Sequence, residues 1–419
     1  MLSGLHPTLN HYVPCTCPRS LSVSLLSETV HRTRGRSRET RRTVAAVVSF
    51  YLPQNTRADH LPARNLARSA GSGAMLAARY LRRPSLLRPY VALRPCVALR
   101  RYCTPAVERP VSPAILDESL RGVGQVVFCN SPLTGGIILG GLAVGDPWLA
   151  TLGALGAVSS TATARAIGLD ASAVSAGLAG YNGCLVGCAF SVFLGQPAWA
   201  PEVAVATLAA SAATVPLLPA LKKACGSVPS WTLGFNITTL SVLTYTRPFD
   251  APAAAAAAAV VPPSGWDYLA TPFCGVSQIF VVQSPLTGLA LLGGIGLYSR
   301  GCAAHTLLGA AIGSAVGVAM GAPASEITAG LWGFNSALTS LAVSVFFVAS
   351  PASAALSAGG AATSAVLFGG LKTALAASCA TPALTLPFCA VASACHLLHD
   401  GVAGLQLAAA PHSPERNSA

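Results

Sequence analysis

The 419-residue chain is 53% hydrophobic and only 10% charged, against about 25% charged in ordinary soluble domains, which excludes a water-soluble globular body. Its formal charge of +12 does not make it a nucleic-acid binder, because 18 of the 26 cationic side chains and only four of the 14 acids fall in residues 1–110. The cationic character belongs to an amino-terminal arm, and the body beyond it is close to neutral.

The arm, residues 1–110, is rich in arginine and serine and has no lysine. It cannot bury enough apolar surface to fold alone. From Met75 onward it carries Arg79, Arg82, Arg83, Arg88, Arg94, Arg100 and Arg101 with no acid before Glu108. That composition fits three readings: an organelle-targeting presequence, a disordered arm or leader, or a segment that binds anionic lipid. The first of these places the protein in a mitochondrial or other organelle membrane, the others in the plasma membrane.

The body reads as membrane helices. Apolar stretches run over 124–144, 147–166, 172–195, 200–221 and 231–247, each near the ~20 residues that cross hydrocarbon as a helix. A Pro/Ala-rich linker, 249–270, follows. Five more stretches then run over 277–297, 301–320, 326–349, 352–377 and 384–400. The division expected is a first repeat 118–248, a second repeat 271–400 and a disordered tail 401–419. Arg121, Arg165, Lys222, Lys223 and Arg300 fall on one side of this topology, with Arg247 and Lys372 on the other, so both termini are expected in the cytoplasm or its equivalent.

The second set repeats the first. A shift of 153 residues brings Gln125 onto Gln278, Ser131-Pro132-Leu133-Thr134-Gly135 onto Ser284-Pro285-Leu286-Thr287-Gly288, Tyr181-Asn182 onto Phe334-Asn335, Thr232 onto Thr385 and Phe235 onto Phe388. Five crossings is an odd number, so the second copy enters from the opposite side, and inverted repeats place a transport path at their interface. The fold class expected is an all-α integral membrane protein of two inverted-topology repeats, with a pore between them.

Helix-breaking Ser-Pro and Gly-Gly pairs at membrane depth are tolerated where the freed backbone faces protein or a watery cavity. The polar side chains beside them are Gln125, Asn130, Asn182 and Thr232 in one copy, and Gln278, Gln283, Asn335 and Thr385 in the other. All are neutral, whereas acidic rings or carbonyl cages suit cations and Arg or Lys suits anions. Their oxygens accept hydrogen bonds, and Phe128, Tyr181 and Phe334 supply flat apolar walls, a profile that suits a small uncharged solute rich in N–H donors, such as urea. Thr232 and Thr385 are the central candidates; the alternative is that each hydroxyl bonds back to its own helix. Asp170 and Glu326 read as helix caps. His396 and His399 read as solvated helix-end groups, and Asn236-Ile237-Thr238 as an inaccessible glycosylation acceptor. Cys184 and Cys188 lack partners at metal-ligand spacing and read as small apolar groups, so no metal or cofactor is expected.

The stretches 124–135 (GQVVFCNSPLTG), 176–187 (AGLAGYNGCLVG), 330–336 (GLWGFNS) and 382–388 (PALTLPF) resemble those of the urea transporters. The resemblance covers residues 118–400. It implies two inverted halves of five spanning helices plus a re-entrant helix each, and a homotrimer with one pore per protomer. It further implies passive urea transport with Thr232 and Thr385 at the central constriction, Gln125, Phe128 and Tyr181-Asn182 at one end, and Gln278, Val281 and Phe334-Asn335 at the other. Departures from the family pattern are Val228 for Leu, Gly234 for Pro, Thr381 for Leu, and Ser131 and Ser284 for Asn. Competing readings are an ion-coupled carrier, which needs Asp170 or Glu326 to titrate in the path, and a channel for another small neutral amide or ammonia. An enzyme needs a nucleophile with its base or a metal cluster, and the body offers no such constellation.

Overall fold

A computed structural model describes residues 111–194, 199–246 and 264–418. The expectations for the arm, for Arg247 and for residues 249–263 of the linker lie outside the described residues. The described residues are helical, apart from turns, extended links and one antiparallel bridge between Phe347 and Leu407.

The first set of helices is α1 (Val111–Gln125), α2 (Pro132–Gly145), α3 (Pro147–Ala166), α4 (Ala171–Ser175), α5 (Tyr181–Phe193), α6 (Pro201–Cys225) and α7 (Leu233–Thr246). The second is α8 (Gly265–Ser277), α9 (Pro285–Tyr298), α10 (Arg300–Ala319), α11 (Ala324–Thr328), α12 (Phe334–Phe346), α13 (Pro351–Cys379) and α14 (Leu386–Leu397). Helices α2 to α5 and α9 to α12 begin and end at positions 153 residues apart. Helix α8 starts at Gly265, within the stretch assigned from sequence to the linker.

Short polar residues set the boundaries. The Ser131 hydroxyl accepts the Thr134 N–H at 3.2 Å and Pro132 opens α2, a position that needs no amide donor. Ser284 and Pro285 do the same for α9. The Asp146 carboxylate accepts the N–H groups of Trp148 and Leu149 at 2.9 and 3.0 Å and starts α3. Asp170 caps α4 through the Ala173 N–H at 3.3 Å, as expected.

Among the described residues, three helices are by themselves long and apolar enough to cross a membrane: α6 with 25 residues, α10 with 20 and α13 with 29. At about 1.5 Å per residue, 20 residues reach about 30 Å, the thickness of the hydrocarbon. Several apolar stretches expected as continuous crossings are broken. The stretch 124–144 contains the end of α1, a link and then α2, because Phe128 takes a left-handed φ of 58° and Pro132 has no N–H to continue the ladder. Its counterpart bends by 75° between Gly265–Phe280 and Pro285–Tyr298, with Val281 at φ 64°. The stretches 172–195 and 326–349 are interrupted at Gly177 (φ 78°) and Gly330 (φ 82°).

The two sets meet through α2 and α9. The Thr134 hydroxyl donates to the Gly294 carbonyl at 3.1 Å, and the Thr287 hydroxyl to the Gly141 carbonyl at 2.9 Å. These reciprocal bonds need bare backbone on the facing helix: a Cβ on Gly141 would lie 2.7 Å from the Ala290 Cβ. Within each set α3 packs on α5, and α10 on α12. Cys184 and Cys188 are buried as free thiols on α5.

Several charged groups pair across helices. Arg165 at the end of α3 grips the Glu118 carboxylate of α1 through Nε and Nη2 at 2.7 and 2.8 Å. Glu326, expected as a cap, instead receives Lys372 Nζ of α13 and the Trp332 indole N–H. His396, expected to be solvated, is 6% exposed. Its ring lies edge-on to Trp231, Phe346 and Phe347, because α14 ends against α12 rather than in open solvent.

Residues 401–418, expected as a disordered tail, are ordered against the second set. Val348 N–H donates to the Gln406 carbonyl at 2.8 Å and Ala408 N–H to the Phe346 carbonyl at 2.9 Å. The Asn417 amide donates to the carbonyls of Ser344, Val345 and Phe347, which the end of α12 leaves unpaired. His412 stacks on Tyr298 with centroids 5.0 Å apart. Glu415 accepts the Ser299 hydroxyl at 2.7 Å and the Gly301 N–H at 2.5 Å at the start of α10. Burial pushes the Glu415 carboxyl up, but the bonds from Ser299 and Gly301 outweigh it and hold its pKa at about 2. Polar composition concealed this segment, since its order comes from backbone groups on a distant helix.

Candidate functional site

Two helices start face to face in the middle of the body. Helix α7 begins at Leu233 and α14 at Leu386, each just after a residue with φ 46°, Trp231 in one and Leu384 in the other. A left-handed residue aims the next side chain away from the helix it precedes. The result brings Thr232 Oγ1 and Thr385 Oγ1 within 2.7 Å of each other. Both threonines are buried, at 4% and 3% exposure. Neither hydroxyl is spent on a carbonyl of its own helix, the alternative left open by the sequence; they bond each other.

The free N–H groups at these helix starts are held by asparagines expected from the sequence. Asn182 Oδ1 accepts the Phe235 N–H at 3.0 Å, and Asn335 Oδ1 accepts the Phe388 N–H at 3.0 Å. Both asparagines are fully buried and sit in the first turns of α5 and α12. The two copies satisfy the carbonyl ahead of the threonine differently. Asn335 Nδ2 donates to the Leu384 carbonyl at 3.2 Å, whereas the matching Trp231 carbonyl takes the Tyr181 hydroxyl at 2.7 Å. Phe334, at the Tyr181 position, has no hydroxyl to offer, so the asparagine amide does the work. Gly234, where the family pattern has proline, lies against Asn182, and a Cβ there would approach its Nδ2 to 3.1 Å.

Around the threonines lies an aromatic cluster. The Phe128 ring is edge-on to Trp231, Phe346 and Phe388 at 6.2, 5.9 and 6.4 Å between centroids. Phe235 and Phe388 are buried, at 1% and 0% exposure. In the other copy Phe334 packs edge-on to Phe368 at 5.6 Å. Val281 occupies the left-handed position equivalent to Phe128.

The glutamines act as braces. Gln125 Nε2 donates to the Ala176 carbonyl at 2.8 Å and Gln278 Nε2 to the Ala329 carbonyl at 3.0 Å, pinning the chain where α4 and α11 end. Asn130 is not in the central cluster. It is exposed, and its Oδ1 accepts Arg121 Nη1 at 3.0 Å.

Sequence reasoning missed three participants. Trp231 joins the aromatic cluster and donates its indole N–H to Ser393 at 2.9 Å. Asn236, set aside as a glycosylation acceptor, is 0% exposed and donates Nδ2 to Thr385 Oγ1 and to the Thr232 carbonyl, each at 2.9 Å. Cys389, 153 residues on, places Sγ 3.2 Å from Thr232 Oγ1. A primary amide four residues after a central threonine, inside an apolar stretch, was the available signal.

Comparison with known proteins decides the family. Residues 116–400 match the family model described as Urea transporter. The chain belongs to the urea transporter family. It is 34% identical over 296 residues to urea transporter 1 of Rattus norvegicus, covering 67% of this chain and 76% of that protein. It is 33% identical over 299 residues to urea transporter 1 of Ovis aries and 34% over 299 residues to that of Mus musculus, with the same coverage. Family membership and the apolar helices make this a multi-pass membrane protein. The matched region of this urea transporter family member contains every residue of the threonine centre and stops before the docked tail.

Proposed function

We propose that the protein is a passive channel that moves urea down its gradient, through a path between two inverted-topology repeats that meet at Thr232 and Thr385. The observation that carries this reading is the pair of buried hydroxyls 2.7 Å apart at the starts of α7 and α14, contributed by positions 153 residues apart. Uncharged oxygens in a low-dielectric setting favour a neutral N–H-rich solute over an ion. Phe128, Tyr181, Phe235, Phe334, Phe388 and Val281 supply the apolar walls. Asn182 and Asn335 hold the helix starts, and Gln125, Gln278 and Asn130 belong to the two ends. The reciprocal bonds of α2 and α9 support the inverted relation, and the 75° bend into α9 supports a re-entrant segment in each copy.

Uncoupled transport is supported by the partners of the acids: Asp170 caps a helix and Glu326 is paired with Lys372, so both carboxylates are held in structural bonds. The assembly we propose is a homotrimer in the plasma membrane, with residues 1–110 as an Arg-rich arm ahead of repeats 118–248 and 271–400. Stopped-flow urea permeability of proteoliposomes tests the function. Saturable flux indifferent to pH and sodium gradients is the expected result, and accumulation against a urea gradient would refute it. Ammonia and acetamide in the same vesicles separate urea from other small neutral solutes. Fluorescence imaging of chains truncated before Met75 or before Thr104 tests the location.

A further inference from the structure

We infer that Asn236 is a positioning residue that sets the proton order of the central threonine pair, so that the pair offers the path hydrogen-bond acceptors and no donors. The inference rests on the reading of the protein as a urea channel and deepens it.

The geometry leaves few choices. Asn236 is 0% exposed, and its Oδ1 accepts the Thr385 N–H at 3.2 Å, which identifies the other terminal atom as the NH2 group. One proton of that group goes to the Thr232 carbonyl and the other to Thr385 Oγ1. Between the two hydroxyls, 2.7 Å apart, one proton is shared and one must go elsewhere. If Thr385 donates to Thr232, the Thr232 proton has Cys389 Sγ at 3.2 Å as its acceptor. In the reverse order Thr385 Oγ1 would receive two protons, and its own would have no acceptor in the cluster. The order running from Asn236 N–H through Thr385 and Thr232 to Cys389 therefore gives every amide and hydroxyl proton an acceptor and leaves over only the S–H of Cys389, the weakest donor of the cluster. Each threonine oxygen keeps one lone pair. Urea carries four N–H donors, so a centre whose two hydroxyls offer a lone pair each and no free hydroxyl proton suits it. A centre able to turn a hydroxyl proton into the path would oppose those donors.

The asymmetry matters because Asn236 and Cys389 occupy equivalent positions in the two copies, 153 residues apart. A strong donor stands on one side only. Two such amides would both donate into the pair and push a hydroxyl proton outward; two thiols would leave both proton orders equivalent.

The test compares urea with acetamide, which has the same planar shape and half the N–H donors. Permeabilities are measured by stopped flow on proteoliposomes of monodisperse protein, with empty-vesicle flux subtracted. The wild-type protein should favour urea. Asn236→Cys should lower the urea-to-acetamide ratio about fivefold, the loss expected for one hydrogen bond. The double exchange Asn236→Cys with Cys389→Asn conserves composition and restores one strong donor, and should recover the wild-type ratio. A structural role alone would lower both fluxes together and would not be rescued by the exchange. An unchanged ratio in Asn236→Cys, or a folded double exchange that does not regain it, overturns the inference, and a wild-type protein without preference for urea does so with no variant at all. Wild-type vesicles that pass no urea would instead refute the underlying channel reading.

Discussion

Thr232→Val keeps the shape of the side chain and removes one oxygen. The bond between Thr232 Oγ1 and Thr385 Oγ1 disappears, and with it the lone pair that Thr232 offers the path. The site is 4% exposed, so water does not replace the lost acceptor. A passing urea then leaves one N–H unpaired in a dry constriction, at about 1–3 kcal/mol. At about 1.4 kcal/mol per decade, urea permeability should fall between about fivefold and 150-fold. Thr385→Val should act alike. The double variant should lose less than the product of the two, because the hydroxyls share one bond. Stopped-flow light scattering on vesicles of matched protein content reads the effect. A folded Thr232→Val protein that passes urea at the wild-type rate would show that the hydroxyl pair lies off the path.

Other consequences concern the scaffold. A Cβ on Gly135 would lie 1.8 Å from the Leu120 carbonyl oxygen, whereas Gly140 meets nothing within 4 Å. Gly135→Ala should therefore cost about 1–3 kcal/mol and lower the melting temperature in detergent, while Gly140→Ala is neutral or mildly stabilising. Arg165→Gln strands the Glu118 carboxylate, which is 6% exposed, and should reduce thermal stability more than Arg121→Gln, whose partner Asp117 is half exposed. The docked tail should respond to acid. Because the folded Glu415 pKa, about 2, lies below its ordinary value of about 4.3, its contribution is complete above that ordinary value and fades as pH falls toward about 2. Hydrogen exchange of residues 405–418 between pH 6 and pH 3 should show falling protection, and Glu415→Gln should weaken protection at pH 6 and flatten that dependence.

The sequence by itself determined the class of protein, the two sets of elements at a 153-residue spacing, and the two threonines that pair; it named Asn182, Asn335 and Phe128 as well, but set them at the ends rather than beside the threonines. These properties are written locally: hydropathy per residue, proline and glycine at fixed offsets, and neutral polar groups set in apolar stretches. Only the tertiary structure decided what those groups touch. Gln125 and Gln278 became braces for carbonyls 51 residues away, and Glu326 found Lys372 in place of a helix end. Asn236 turned out to donate to a hydroxyl 149 residues away, and Asn417 to reach carbonyls at the end of α12. A hydrogen bond between distant elements depends on where packing leaves an unpaired donor or acceptor, and that is a property of the assembled helices that no local pattern records.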